Sequence, residues 1–179
     1  MDDITLTRLW LMRAGFAALI LGLIFYQLLP LETTPRRFAG PDLVMGFAFA
    51  WVLRRPEYTP LVLTAGLLLI ADLFLGRPPG LYAALTLLAF DNLRTRTTGL
   101  RAMPFTVEWL TVAAAITGVI LVYRLILAML LVPLPALGLQ LMQLLMTVLC
   151  YPLVVLVTRF VFGLRAPGLG EVNALGQRQ

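Results

Sequence analysis

The sequence predicts an all-α fold: a polytopic membrane protein whose six transmembrane helices, of unequal length, form one bundle. Three observations carry that prediction. Hydrophobic residues make up 60% of the 179 positions and charged residues only 13%, against roughly 45–50% apolar content in soluble domains. The apolar residues come in long runs broken by proline, glycine and arginine, not in alternation with polar ones. At about 20 residues per crossing, six spans leave room for a single domain, 1–179, and for no soluble catalytic domain.

The helices are expected at about 9–29, 38–53, 57–76, 80–93, 104–132 and 134–163, followed by a flexible cytoplasmic tail over 164–179. The first run follows a polar lead containing Arg8 and Arg13. It ends in Tyr26-Gln27-Leu28-Leu29-Pro30 without a small-x-small cleavage site, so it reads as an uncleaved helix and not as a signal peptide. Pro41-Asp42-Leu43 opens the second run, with proline suited to a first turn and an acid suited to the positive end of the helix dipole. Arg54-Arg55-Pro56 ends it, and Trp51 beside that pair reads as an interfacial anchor. The third run carries an acid, Asp72, amid leucines. Gly76, Pro78, Pro79 and Gly80 then force a tight reversal, because the prolines cannot donate backbone hydrogen bonds or continue the helix. The fourth run ends near Asp91 to Arg96. Arg124 lies inside the fifth, Pro133 and Pro135 make the next turn, and the sixth contains Pro152. That proline removes the bond its amide would have made to the Val148 carbonyl, which predicts a kink. The fifth and sixth runs exceed a hydrocarbon core of about 30 Å and must tilt, bend or protrude.

The net charge is +5, and all 14 basic residues are arginine. With six crossings and a cytoplasmic amino terminus, ten of them fall inside: Arg8, Arg13, Arg54, Arg55, Arg94, Arg96, Arg101, Arg159, Arg165 and Arg178. Arg36, Arg37 and Arg77 fall outside. That bias places both termini in the cytoplasm, with Arg94, Arg96 and Arg101 as a cytoplasmic basic loop. An orientation signal is a simpler account of the arginines than nucleic-acid binding.

In this topology Asp42, Asp72, Arg124, Gln140 and Gln143 reach similar depth on different helices. Ionised groups in lipid are costly and face the bundle interior, so these residues are expected to form an intramembrane polar network in which Arg124 pairs with Asp72 or Asp42. Gln140, Gln143, Thr147, Tyr151 and Thr158 form a stripe on the last helix. It reads either as a cavity wall or partner groove, or as a set of interhelical hydrogen bonds; the latter is favoured because such bonds are widespread. The chain has no histidine and one cysteine, Cys150, and it has no nucleophile elbow, Cys-x-x-Cys or phosphate-binding glycine loop. Catalytic residues, metal ligands and cofactors are therefore not expected. Asp42 and Asp72 do not suit an aspartyl dyad, since a nearby arginine would hold both ionised where a dyad must share a proton.

Several segments resemble the MreD family of rod-shape-determining membrane proteins. They are Pro41-Asp42-Leu43, the run Trp51-Val52-Leu53-Arg54-Arg55-Pro56-Glu57-Tyr58, Asp72 followed by Gly76-Arg77-Pro78-Pro79-Gly80-Leu81, and the terminal Glu171-Val172-Asn173-Ala174-Leu175-Gly176. The hairpin is the most specific part. The resemblance implies a non-enzymatic subunit of the bacterial inner membrane that binds MreC, a single-span scaffold, in a complex with RodA, a class B penicillin-binding transpeptidase and MreB. It also implies a fold similar to the substrate-binding subunits of energy-coupling-factor transporters, which supplies the alternative function, a small-molecule-binding transporter subunit.

Overall fold

The computed structural model describes residues 2–29, 39–101 and 103–161. Seven α-helices occur among them, with no strand: α1 Asp2–Leu28, α2 Leu43–Arg54, α3 Leu61–Phe74, α4 Leu81–Thr95, α5 Thr97–Arg101, α6 Phe105–Met129 and α7 Leu137–Val161, with a 3₁₀ turn at Pro56–Tyr58. Six of these match the expected helices, and α5 is additional. The loop with Arg36 and Arg37, the tail over 164–179 and the terminal Glu171 to Gly176 segment lie outside the described residues.

Among the described residues three stretches are long and apolar enough to cross a membrane: Leu6–Leu28, Phe105–Met129 and Leu137–Phe160. The helices α2 and α3 are apolar but shorter. At about 1.5 Å per residue the 12 residues of α2 reach only about 18 Å.

The bundle is built around α2, which touches α1, α4 and α7. Eleven of its 12 residues are buried, as expected of a helix that is apolar on every side. Trp51 and Phe49 are fully buried there, and Trp51 packs on Phe16 of α1 with ring centroids 5.2 Å apart. The interfacial role read for Trp51 is thus corrected: α2 lies inside the protein, so its tryptophan meets protein and not the bilayer surface. Around this centre α3 pairs with α4, and α6 packs on both α4 and α7.

The observed ends differ from the expected ones for local reasons. Helix α1 begins before residue 9, because hydropathy marks where lipid contact would start and not where backbone hydrogen bonding starts. Helix α2 begins at Leu43 and not near residue 38, with Asp42 as its N-cap. Helix α3 begins after Pro60, whose extended backbone (φ −62°, ψ 142°) and missing N–H exclude it from the helix interior. It ends where Gly76 takes φ +65° and the Arg77 amide bonds back to the Asp72 carbonyl at 3.1 Å, a Schellman closure. Pro78 to Leu81 then form a turn closed by the Leu81 amide on the Pro78 carbonyl at 3.2 Å. Gly80 has φ +84°, ψ −16°, the third-position geometry of a type II turn, with Pro79 at the favoured second position. Helix α7 runs through Pro152 without interruption, and the carbonyl that the proline frees, that of Val148, accepts the Trp109 indole N–H at 2.9 Å.

Candidate functional site

The polar side chains gather at the two ends of α2. At its N-terminal end Asp42 is the hub. Its Oδ1 accepts the Met45 amide at 3.1 Å and caps the helix. Its Oδ2 accepts the Tyr82 hydroxyl at 2.9 Å and the Arg77 guanidinium at 3.4 Å, and its own amide donates to the Thr147 hydroxyl at 2.8 Å. The Arg77 guanidinium also lies over the Tyr82 ring, 4.2 Å from its centroid, and Tyr82 meets Tyr123 edge-on at 5.2 Å. One aspartate therefore ties α2, the α3–α4 turn, α4 and α7 together. Burial works to lower the pKa of Arg77, but the Asp42 charge and then Tyr82 oppose it; the net direction is upward and the group stays charged.

Asp72 sits beside this hub and does a different job. Its Oδ2 accepts the Ala83 amide, in the first turn of α4, at 2.9 Å. Gly80, at the N-cap position, has no side chain to offer, so a carboxylate from the preceding helix takes that role.

The expected pairing of Arg124 with Asp72 or Asp42 is corrected. Arg124 donates instead to Gln140 Oε1 at 2.6 Å and to the Pro135 carbonyl at 3.1 Å, and Arg77 is the guanidinium that reaches Asp42. Gln143 contributes its backbone carbonyl, which accepts the Thr147 hydroxyl at 2.7 Å. The five residues expected to form one network thus fall into two separate groups, one around Asp42 and one joining α6 to the α7 entrance.

At the other end of α2 Arg54 Nη1 donates to Glu108 Oε1 at 3.0 Å and to the Ala50 carbonyl at 3.2 Å. Glu108 Oε1 also accepts the Tyr151 hydroxyl at 2.9 Å. Arg101 turns inward and donates to the Leu53 and Arg54 carbonyls at 3.0 and 2.9 Å, placing a cation on the negative end of α2. Arg55 pairs with Glu57 at 3.3 Å, and Arg13 of α1 donates to the Glu57 carbonyl at 3.2 and 3.3 Å. Pro56 opens the 3₁₀ turn between them. The basic loop is accordingly divided: Arg94 and Arg96 stand at the end of α4, while Arg101 is spent on α2. Burial lowers the pKa of Arg101, with Arg55 and Arg54 adding to the effect and Glu57 opposing it.

Sequence reading missed Arg77, Tyr82, Glu108 and Arg101 as partners. A usable signal existed for Arg77, since a glycine with positive φ directly before it turns the chain back over the helix end. Among the described residues no cluster of His, Cys, Asp and Glu has the makings of a metal site. No known protein family, curated protein or solved structure matches the chain.

Proposed function

We propose that the chain is a non-enzymatic inner-membrane subunit of the bacterial cell-elongation machinery, of the MreD type. In this reading it crosses the bilayer six times with both termini cytoplasmic, binds the single span of MreC, and works beside RodA, its transpeptidase and MreB. The observation that carries the proposal is that polar groups within the bundle are used on one another. Asp42, Arg77, Tyr82 and Thr147 bond across four elements, and Arg54, Glu108 and Tyr151 across three.

The α7 stripe, which a transporter subunit would need as a ligand-cavity wall, is engaged in the same way. Gln140, Thr147 and Tyr151 all bond to other helices. What remains outward is apolar: Leu121 and Leu125 of α6 and Leu145, Leu149 and Leu153 of α7 are exposed. Such flanks suit lipid and a partner's transmembrane helix. Six crossings are supported by alternation. The start of α2, the α3–α4 turn and the start of α4 meet at one end, and the end of α2, α5 and the start of α6 meet at the other. The short helix α2 fits a bilayer because its neighbours surround it, while α3 and α4 turn Val62, Leu69, Leu73 and Leu88 outward.

The test is affinity purification of the tagged full chain from gently solubilised membranes. Recovery of a single-span coiled-coil partner is expected. Recovery of an ATPase-linked membrane subunit in its place would overturn the proposal in favour of the transporter reading.

A further inference from the structure

A cleft of about 210 Å³ opens beside the C-terminal end of α2, lined by Arg54, Arg101, Leu100, Met103, Phe105 and Glu108, with Leu53 behind them. We propose that this cleft binds the headgroup of an anionic phospholipid, with the phosphate on the Nε–Nη2 edge of Arg54, Arg101 adding its charge from the cleft wall, and an acyl chain along Leu100, Met103 and Phe105.

The charges support an anion despite the presence of Glu108. That carboxylate already accepts Arg54 Nη1 and the Tyr151 hydroxyl on one oxygen. Both bonds of Arg54 leave from Nη1, so the other edge of its guanidinium, Nε and Nη2, carries no bond among the described residues. Arg54, Arg55 and Arg101 stand against Glu57 and Glu108, so the cluster as a whole is positive. Basic pockets between helices at the cytoplasmic side of a membrane hold anionic headgroups for the same reason.

The wall argues for a lipid over a free anion. Met103 and Phe105 are 57% and 42% exposed, directly beside the two guanidiniums, and a soluble phosphate has no use for that surface. The inference rests on the membrane reading given above, but not on the identity of the protein partner.

The experiment is native mass spectrometry of the purified full chain in mild detergent, titrated in parallel with phosphatidylglycerol, phosphatidylethanolamine and inorganic phosphate. Phosphatidylglycerol is expected to be retained about fivefold more than phosphatidylethanolamine, the scale of one basic contact near a membrane surface. Met103→Glu puts an acid at the rim without touching the α2 cap, and it is expected to abolish that preference while the unfolding temperature holds. Arg96→Gln, away from the cleft, is expected to keep it. Equal retention of the two lipids, or an unchanged preference in Met103→Glu, would overturn the proposal. Complete displacement of the lipid by inorganic phosphate would overturn the lipid assignment in favour of a small-anion site. Failure to recover MreC leaves all these outcomes readable.

Discussion

Trp109 of α6 donates its indole N–H to the carbonyl of Val148 on α7, 2.9 Å away, and that carbonyl is free because Pro152 has no amide to offer it. The proline's defect is thus turned into a contact between neighbouring helices, as buried backbone acceptors need a partner. Trp109→Phe should lower stability by about 1–3 kcal/mol through the orphaned carbonyl. In a Pro152→Ala background, where the replacement brings an amide that can bond the Val148 carbonyl, the same change should cost much less. Thermal unfolding of the four variants of this cycle in one detergent checks it; equal costs in both backgrounds would show that the carbonyl is not what Trp109 serves.

Asp42→Asn should be among the most damaging single changes in the protein. It leaves the Arg77 guanidinium beside a neutral amide, and one carbonyl oxygen must then answer Met45 N–H and the Tyr82 hydroxyl, which now use separate oxygens. Breaking a buried pair from one side costs about 3–5 kcal/mol. The expected result is little accumulated protein in membranes. Accumulation at the parental level would refute the role of Asp42 as hub.

Asp72 behaves differently because its work is capping. Asp72→Ala removes the acceptor for the Ala83 amide and should cost about 1–2 kcal/mol. Asp72→Asn keeps an acceptor oxygen for the Ala83 amide, while its amide nitrogen is buried where Oδ1 has no hydrogen-bond partner among the described residues, at a desolvation cost. It should accumulate less well than the parent but better than Asp72→Ala. Equal loss in both variants would point to the charge itself, not to the cap.

These contrasts show what was legible in the sequence. Apolar runs punctuated by proline and glycine located six helices, because helix interiors reject those residues for reasons local to the backbone. The hairpin from Gly76 to Gly80 was readable for the same reason. Pairing was not: the expected topology gives Asp42, Asp72 and Arg124 a similar depth, but depth says nothing about which way each helix face turns, and Arg77 reaches Asp42 only because the Gly76 turn folds it back. Nor does a five-residue helix such as α5 leave a periodic trace.

Helix α6 ends as α3 does, with the Val132 amide on the Leu127 carbonyl at 3.0 Å and the Leu131 amide on the Ala128 carbonyl at 3.2 Å, but the left-handed position holds Leu131 at φ +54° where α3 has Gly76. A leucine there carries a steric cost of about 1–2 kcal/mol that glycine avoids. Its side chain is 92% exposed, so the protein interior gives up nothing in a Leu131→Gly exchange. That variant should gain about 0.5–1 kcal/mol, glycine's greater freedom in the unfolded chain offsetting part of the relief. Gly76→Ala should lose about 1–2 kcal/mol at the equivalent place. Opposite shifts in unfolding temperature are therefore expected from the two exchanges, and shifts of the same sign would show that the two helix ends are not closed alike.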